Sequence, residues 1–313
     1  MSFNNLISIP VDFSIEFAKI IGNICDPFIT PLENVFKSSL QNLFPSFYNN
    51  AVEFLELSQS PFTSQLPLMN LFHVLIICLT YLTIVFTGKQ IMANFSKFSV
   101  KNLSIFHNLF LVTLSAYMCT TILYEAWRQG YSLFTNPEDR SEEGFQMAKY
   151  IWLFYVSKIA EFMDTFIMIL KKNNHQVTFL HVYHHSSIFI IWWWVTYVAP
   201  TGETYFSAAL NSAVHVVMYG YYLSTTLSMP IRFIKRYITL FQMIQFTFNM
   251  LQATYDIFYF KVLHPELEKT YPFGLTLILW FYMWTMLGLF ANFFRADRKR
   301  EAEAKTKATK KIQ

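Results

Sequence analysis

The chain has 313 residues, of which 54% are hydrophobic, 19% aromatic and only 14% charged, with a formal net charge of +4. Thirty-four Phe, 18 Tyr and only 8 Gly exclude a soluble globular domain and leave an all-α integral membrane protein as the fold class. The three cysteines, Cys25, Cys78 and Cys119, lack paired spacing, which argues against a disulfide framework and a zinc site, and no nucleic acid is expected as a partner.

Residues 1–67 read as a lumenal or interfacial N-terminal segment, amphipathic and broken at Pro10, Pro27, Pro31, Pro45 and Pro61, lying along the membrane surface. No basic n-region with a short apolar core opens the chain, so no cleaved signal peptide is expected and the first span is an uncleaved anchor. Stretches near the ~20 residues that a bilayer requires lie at 69–87, 105–127, 147–170, 177–199, 203–226, 237–260 and 272–294. Seven transmembrane helices are therefore expected within 68–294, followed by a basic cytosolic tail, 295–313.

Short cytoplasmic loops are enriched in Lys and Arg. Lys89, Lys97 and Lys101 follow the first span, Lys171 and Lys172 the third, Arg232, Lys235 and Arg236 the fifth, and eight basic residues between Arg295 and Lys311 the seventh. These mark the cytosolic side, so the N-terminus is expected in the lumen and the C-terminus in the cytosol. Asn94-Phe-Ser and Asn102-Leu-Ser fit the glycosylation pattern but fall on the cytosolic side and should stay unmodified. Lys310-Lys311 stand fourth and third from the end, as a di-lysine retrieval address for the endoplasmic reticulum would; a plain positive-inside anchor is the alternative.

Spans one and two carry little chemistry: His73, His107 and Glu125 sit near span ends and are expected to snorkel in structural roles. The third span places Lys158, Glu161 and Asp164 within an arc of roughly 120°. Such charges either pin helices together as ion pairs or serve a site. Early in the fourth span His181, His184 and His185 share an arc of roughly 100°, and intramembrane ionisable groups usually face a bundle interior or a wet cavity. On the fifth span Asn211, His215, Tyr219 and Tyr222 fall within roughly 80°, as do Gln242, Gln245, Asn249, Gln252 and Asp256 on the sixth. Asn249 and Gln252 are assigned to interhelical bonding, and the seventh span reads as wall. By depth, the acids, the histidine cluster, Tyr219, Gln242 and Gln245 occupy cytosolic halves, an arrangement suited to an amphiphile with a charged head and a long acyl tail.

Two chemistries use His-x-x-His-His in membranes. Di-iron oxidation of lipid chains, as in a desaturase or hydroxylase, needs several imidazoles or carboxylates per metal, and only four of the eight histidines are well placed. Acyl transfer needs fewer: an imidazole attacks a thioester or acts as general base while donors hold the oxyanion. A seven-span receptor or transporter is a third class, disfavoured by so many rings and acids at one depth.

From about Pro67 to the end of the seventh span the chain resembles the ELO family of very-long-chain fatty acid elongases. The resemblance rests on Lys158-Ile-Ala-Glu161-Phe-Met-Asp164-Thr165, His181-Val-Tyr-His184-His185, Asn211-Ser-Ala-Val-His215-Val-Val-Met218-Tyr219-Gly-Tyr221-Tyr222 and Thr239-Leu-Phe-Gln242-Met-Ile-Gln245-Phe246. Residues 171–193 look most like fungal elongases of C18 polyunsaturated chains. The resemblance implies a 3-ketoacyl-CoA synthase that condenses acyl-CoA with malonyl-CoA, no metal or other cofactor, and six helices ringed around an acyl tunnel with the first span outside. It also implies a place among elongation-cycle reductases and a dehydratase, in the membrane lipid of the endoplasmic reticulum, and allows a homodimer. His184 would carry the acyl group and His215 assist, with His181 and His185 in positioning or proton transfer. Lys158, Glu161, Asp164, Asn211, Tyr219, Gln242 and Gln245 would support them, Glu161 or Asp164 fixing a ring tautomer. Trp192 and Trp194 would then help limit the tunnel, roughly 12–15 Å from His184, while Trp193 points outward.

Overall fold

The computed structural model describes residues 3–266 and 271–312, the side chains of residues 3–5, 232, 301 and 304–312 excepted. Arg232 and the Lys310-Lys311 pair thus lie outside the described side chains. Among the described residues all regular elements are helical and none is a strand: α1 (Phe3–Leu43), α2 (Pro45–Ser58), α3 (Leu71–Ala93), α4 (Lys101–Arg128), α5 (Phe145–Leu170), α6 (Phe179–Val198), α7 (Thr204–Thr226), α8 (Lys235–Phe258) and α9 (Phe273–Ile312). Each stretch expected to span falls on one of α3 to α9. Leu71–Ala93, Lys101–Arg128 and Phe273–Arg300 are long and apolar enough to cross a membrane by length and composition.

The chain divides into two compact units. The first comprises Met1–Val100, Tyr117–Ala209 and Thr270–Pro272; the second, Lys101–Ala116, Leu210–Lys269 and Phe273–Gln313.

In the first unit α3, α5 and α6 pack on one another through aromatic side chains. Tyr81 stacks on Phe162 at 4.1 Å, Phe154 meets the edge of Trp192 at 4.4 Å and Tyr155 stacks on Phe189 at 5.4 Å, each ring burying a large apolar area. Helix ends are set locally. Asn70 accepts the Phe72 amide to start α3, and Thr178 accepts the His181 amide to start α6, satisfying amides that the helix leaves unpaired. Lys172, at φ +56°, closes α5 through bonds from its amide to the Ile169 carbonyl and from Asn173 to Met168, the left-handed closure usual at helix C-termini.

One expectation for the N-terminal region and one for the second span are corrected. Pro10, Pro27 and Pro31 lie inside α1 without ending it, although an interior proline removes one bond and crowds the preceding turn. Lateral contacts hold the helix instead: Tyr117 donates to the Ile7 carbonyl, Asp12 pairs with Lys149 at 2.7 Å, Asp26 faces His73 at 3.6 Å, and Glu33 accepts from Asn70 and pairs with Lys37. Val11 and Ile15 are buried, while Leu6, Ile9, Phe13, Phe17, Ile24 and Phe28 form an exposed apolar row. Pro45 does mark a boundary, as the first residue of α2. Glu125 and His107 do not snorkel either. Glu125 is buried under Arg128 at 2.6 Å and Gln129 at 2.7 Å, and in the second unit His107 is buried 6.4 Å from the Tyr219 ring.

Two loops of the first unit lock together at Gly202. Its φ of +67° and the 2.4 Å that would separate a Cβ from the Pro137 carbonyl both require glycine. Around it Glu203 accepts from the backbone and side chain of Asn136, Thr201 bonds Asp139 in both directions, and the Gly202 amide donates to Tyr131. Burial pushes the Tyr131 phenol up to about 12, so it remains a neutral acceptor there. In the second unit α8 packs along α9, with Phe246 against Phe290 at 5.0 Å and the Trp280 indole donating to Thr254.

Candidate active site

The histidine cluster occupies the first two turns of α6, where the Thr178 cap fixes the start of the helix. His181 and His185, one turn apart, bring their ring centroids to 4.4 Å, and His184 stands 5.5 Å from His185. His185 is buried; His181 and His184 keep partial exposure. Three rings therefore do converge as the helical arc requires.

The α5 stripe faces the same helix but splits in two. Lys158 and Glu161 are both buried and paired at 2.7 Å, with the ammonium 4.0 Å over the Phe154 ring. That arrangement compensates two charges in an apolar interior. Asp164 is half-buried and close enough to act electrostatically on His181 and Tyr81. Between the two expectations, ion-pair stripe and site, the structure gives a buried pair at Lys158 and Glu161 and an acid beside the histidines at Asp164.

One residue that touches a ring of the histidine cluster directly is one to which sequence reasoning gave no role. Thr165 Oγ1 lies 2.8 Å from His181 Nε2, and the Tyr81 hydroxyl lies 3.1 Å from the same Oγ1. Tyr81 belongs to α3, the span expected to carry little chemistry. A lone phenol in the middle of an apolar helix was the available signal, since a buried tyrosine hydroxyl needs a partner.

The tryptophans of α6 require a correction. Trp193, expected to point outward, is buried and donates its indole N–H to the Met69 carbonyl at 3.0 Å. Trp194 stacks on Phe54 of α2 at 5.6 Å, and Trp192 is buried against Phe154. A helical wheel of α6 contains no information about the N-terminal segment that covers this face.

Within the second unit, Asn211 on α7 donates to Gln245 on α8 at 3.4 Å, and Gln242 approaches the Met218 sulfur at 3.5 Å. His215 is buried with its ring 5.5 Å from Tyr219, itself fully buried, whereas Tyr222, its ring 5.9 Å from Tyr219, is over a third exposed. Gln245, Asn249, Gln252 and Asp256 are all buried, as a polar stripe inside a helical layer must be. Among the described residues no group of three or more His, Cys, Asp or Glu side chains is arranged to hold a metal ion.

Comparison with known proteins bears on the whole constellation. The ELO family, described as GNS1/SUR4, matches residues 66–306. Fatty acid elongase 6 of Leishmania major is 42% identical over 273 residues, covering 85% of this chain and 70% of the relative. Very long chain fatty acid elongase 5 of mouse is 36% identical over 230 residues, covering 72% and 74%, and the human protein of that name 37% over 241 residues, covering 76% and 78%.

The chain belongs to the ELO family. The ELO match contains all four polar motifs, from Lys158 to Phe246, and begins just before α3. It leaves α1 and α2 outside, so Phe54, which stacks on Trp194, is not part of the ELO match, whereas Met69, which accepts from Trp193, is. Family membership also removes the ground for the di-iron oxidase and receptor readings.

Proposed function

We propose that this ELO protein is the condensing enzyme of fatty acid elongation, a very-long-chain 3-oxoacyl-CoA synthase acting on long-chain, C18 polyunsaturated acyl-CoA. The observation that carries this reading is the ELO match over residues 66–306, which includes all four motifs. In the proposed reaction His184 attacks the acyl thioester and CoA leaves as the thiol, taking up a proton. The resulting acyl-imidazole is a reactive acyl donor. Malonyl-CoA then loses CO2, the enolate carbon attacks the acyl carbonyl, and the imidazole departs to leave 3-ketoacyl-CoA two carbons longer.

His181 and His185, held within 4.4 Å of each other, position or relay protons beside His184. For His215, Asn211, Gln242 and Gln245 the assignment rests on residue chemistry and motif order: they are donors suited to enolate charge. The Lys158–Glu161 pair is proposed to support the site from behind. We read α3 to α9 as seven spans, six of them around an acyl tunnel, with the N-terminus lumenal and the basic tail cytosolic in the endoplasmic reticulum membrane. No cofactor beyond the two CoA thioesters is invoked, and the reductases and dehydratase of the cycle are the natural neighbours.

Purified protein incubated with acyl-CoA alone should release CoA in a near-stoichiometric burst, and adding malonyl-CoA should release CO2. His184→Ala should remove the burst and lower condensation by about 1000-fold or more while the protein stays folded. CO2 release without a burst would replace the covalent step by a direct ternary reaction with histidine as base. Absence of malonyl-CoA-dependent CO2 release would reject the elongase reading.

A further inference from the structure

We infer that Tyr81, through Thr165, fixes the tautomer of His181, making Tyr81 a positioning residue of the histidine cluster. The clamp crosses three helices: the α3 phenol, the α5 threonine and the α6 imidazole are linked by contacts of 3.1 and 2.8 Å. Tyr81 is 1% exposed and Thr165 not at all, so water does not take the place of either partner.

The direction of the chain follows from counting protons. Two hydroxyls carry one proton each, and among the described residues Thr165 is the hydrogen-bond partner of the Tyr81 hydroxyl while Thr165 touches Tyr81 and His181. If Tyr81 donates to Thr165 and Thr165 donates to His181 Nε2, every proton in the chain has an acceptor. The reverse arrangement, with Nε2–H donating to Thr165 and Thr165 donating to Tyr81, strands the phenol proton in the interior. A stranded buried donor costs more than the bond itself gains. The first arrangement therefore holds, and it makes Nε2 an acceptor and places the ring proton on Nδ1.

This assigns His181 a role distinct from that of His184. With Nε2 occupied, His181 does not serve as the acyl carrier at that nitrogen; it presents an N–H at Nδ1 instead, with Asp164 and Lys89 as the charges acting on its ring. Stacking on Phe162 and Phe166 keeps the Tyr81 ring in place, so removing only its hydroxyl tests the clamp without emptying the core.

The catalytic consequence rests on the elongase reading, but the tautomer does not, so the test reads both. Full-length protein labelled with 15N-histidine, with the His181 signals identified by their loss in His181→Asn, should show a protonated Nδ1 and a bare, hydrogen-bonded Nε2. In Tyr81→Phe the Thr165 hydroxyl no longer has to stay in the rotamer that meets Tyr81. It can turn its proton onto the carbonyl four residues back, as helical threonines do, and accept from Nε2–H instead. This variant should therefore show a mixture of tautomers, whereas Thr165→Ser should preserve the single one. In turnover, Tyr81→Phe should lower kcat by about tenfold with KM for acyl-CoA nearly unchanged, and Thr165→Ser should stay near wild type while Thr165→Val falls with Tyr81→Phe. A wild-type ring protonated at Nε2, or a Tyr81→Phe protein with unaltered tautomer, would overturn the clamp. The expected spectra from a protein without malonyl-CoA-dependent CO2 release would keep the clamp and reject the elongase reading.

Discussion

The corner built by α5 and α6 and the one built by α7 and α8 solve the problem of polar groups in an apolar interior differently. In the first, charges and hydroxyls meet at short range: Lys158 and Glu161 at 2.7 Å, Thr165 and His181 at 2.8 Å. In the second, the bond from Asn211 to Gln245 is 3.4 Å and the approach of Gln242 to Met218 is 3.5 Å. Short, charge-assisted contacts fix geometry before substrate arrives, and an unpaired charge there is heavily penalised. A neutral amide contact at such length contributes less than a short charge-assisted one. On the proposed reaction, the first corner is the rigid one and the second the adaptable one.

The largest effect that can test this division is expected at Glu161. Glu161→Gln strands the Lys158 ammonium, which is 1% exposed at the side chain, and should destabilise the protein by about 3–5 kcal/mol, read as a lowered unfolding midpoint in detergent. Adding Lys158→Met should recover most of the loss. If the single variant is as stable as wild type, the first corner is not held by its ion pair.

A smaller stability effect, with a larger kinetic one, is expected in the second corner. Asn211→Ala should change stability by less than about 1 kcal/mol while lowering kcat by about 100-fold, the loss seen when one oxyanion donor is removed. Destabilisation comparable to that of Glu161→Gln would erase the contrast between the corners. The smallest effect should come from Trp193→Phe, which keeps the ring volume in the main but loses the bond to Met69, and should cost about 1 kcal/mol with the product profile unchanged.

Convergence of His181, His184 and His185 was legible in the sequence because a single helix sets it, through residue spacing alone. The same is true of the buried amide row on α8 and of the pairing of Lys158 with Glu161 one turn apart. Tyr81 was not legible, because its partner Thr165 is 84 residues away and no spacing rule reaches from α3 to α5. Trp193 was misread for the same reason: its covering carbonyl, Met69, is 124 residues away. The prolines of α1 show the converse, a local breaking rule overridden by contacts to Tyr117, Lys149 and Asn70.

By itself, then, the sequence determined what depends on near neighbours: the membrane class, the helical stretches, the face each polar stripe shares and the motifs that mark the family. Tertiary structure decided what depends on distant ones: the covered face of α6, the continuity of α1, and the phenol that orients His181. The physical reason is one of range. Helix periodicity is set by bonds four residues apart, whereas burial and the pairing of buried polar groups are settled only when segments remote in the chain are brought together.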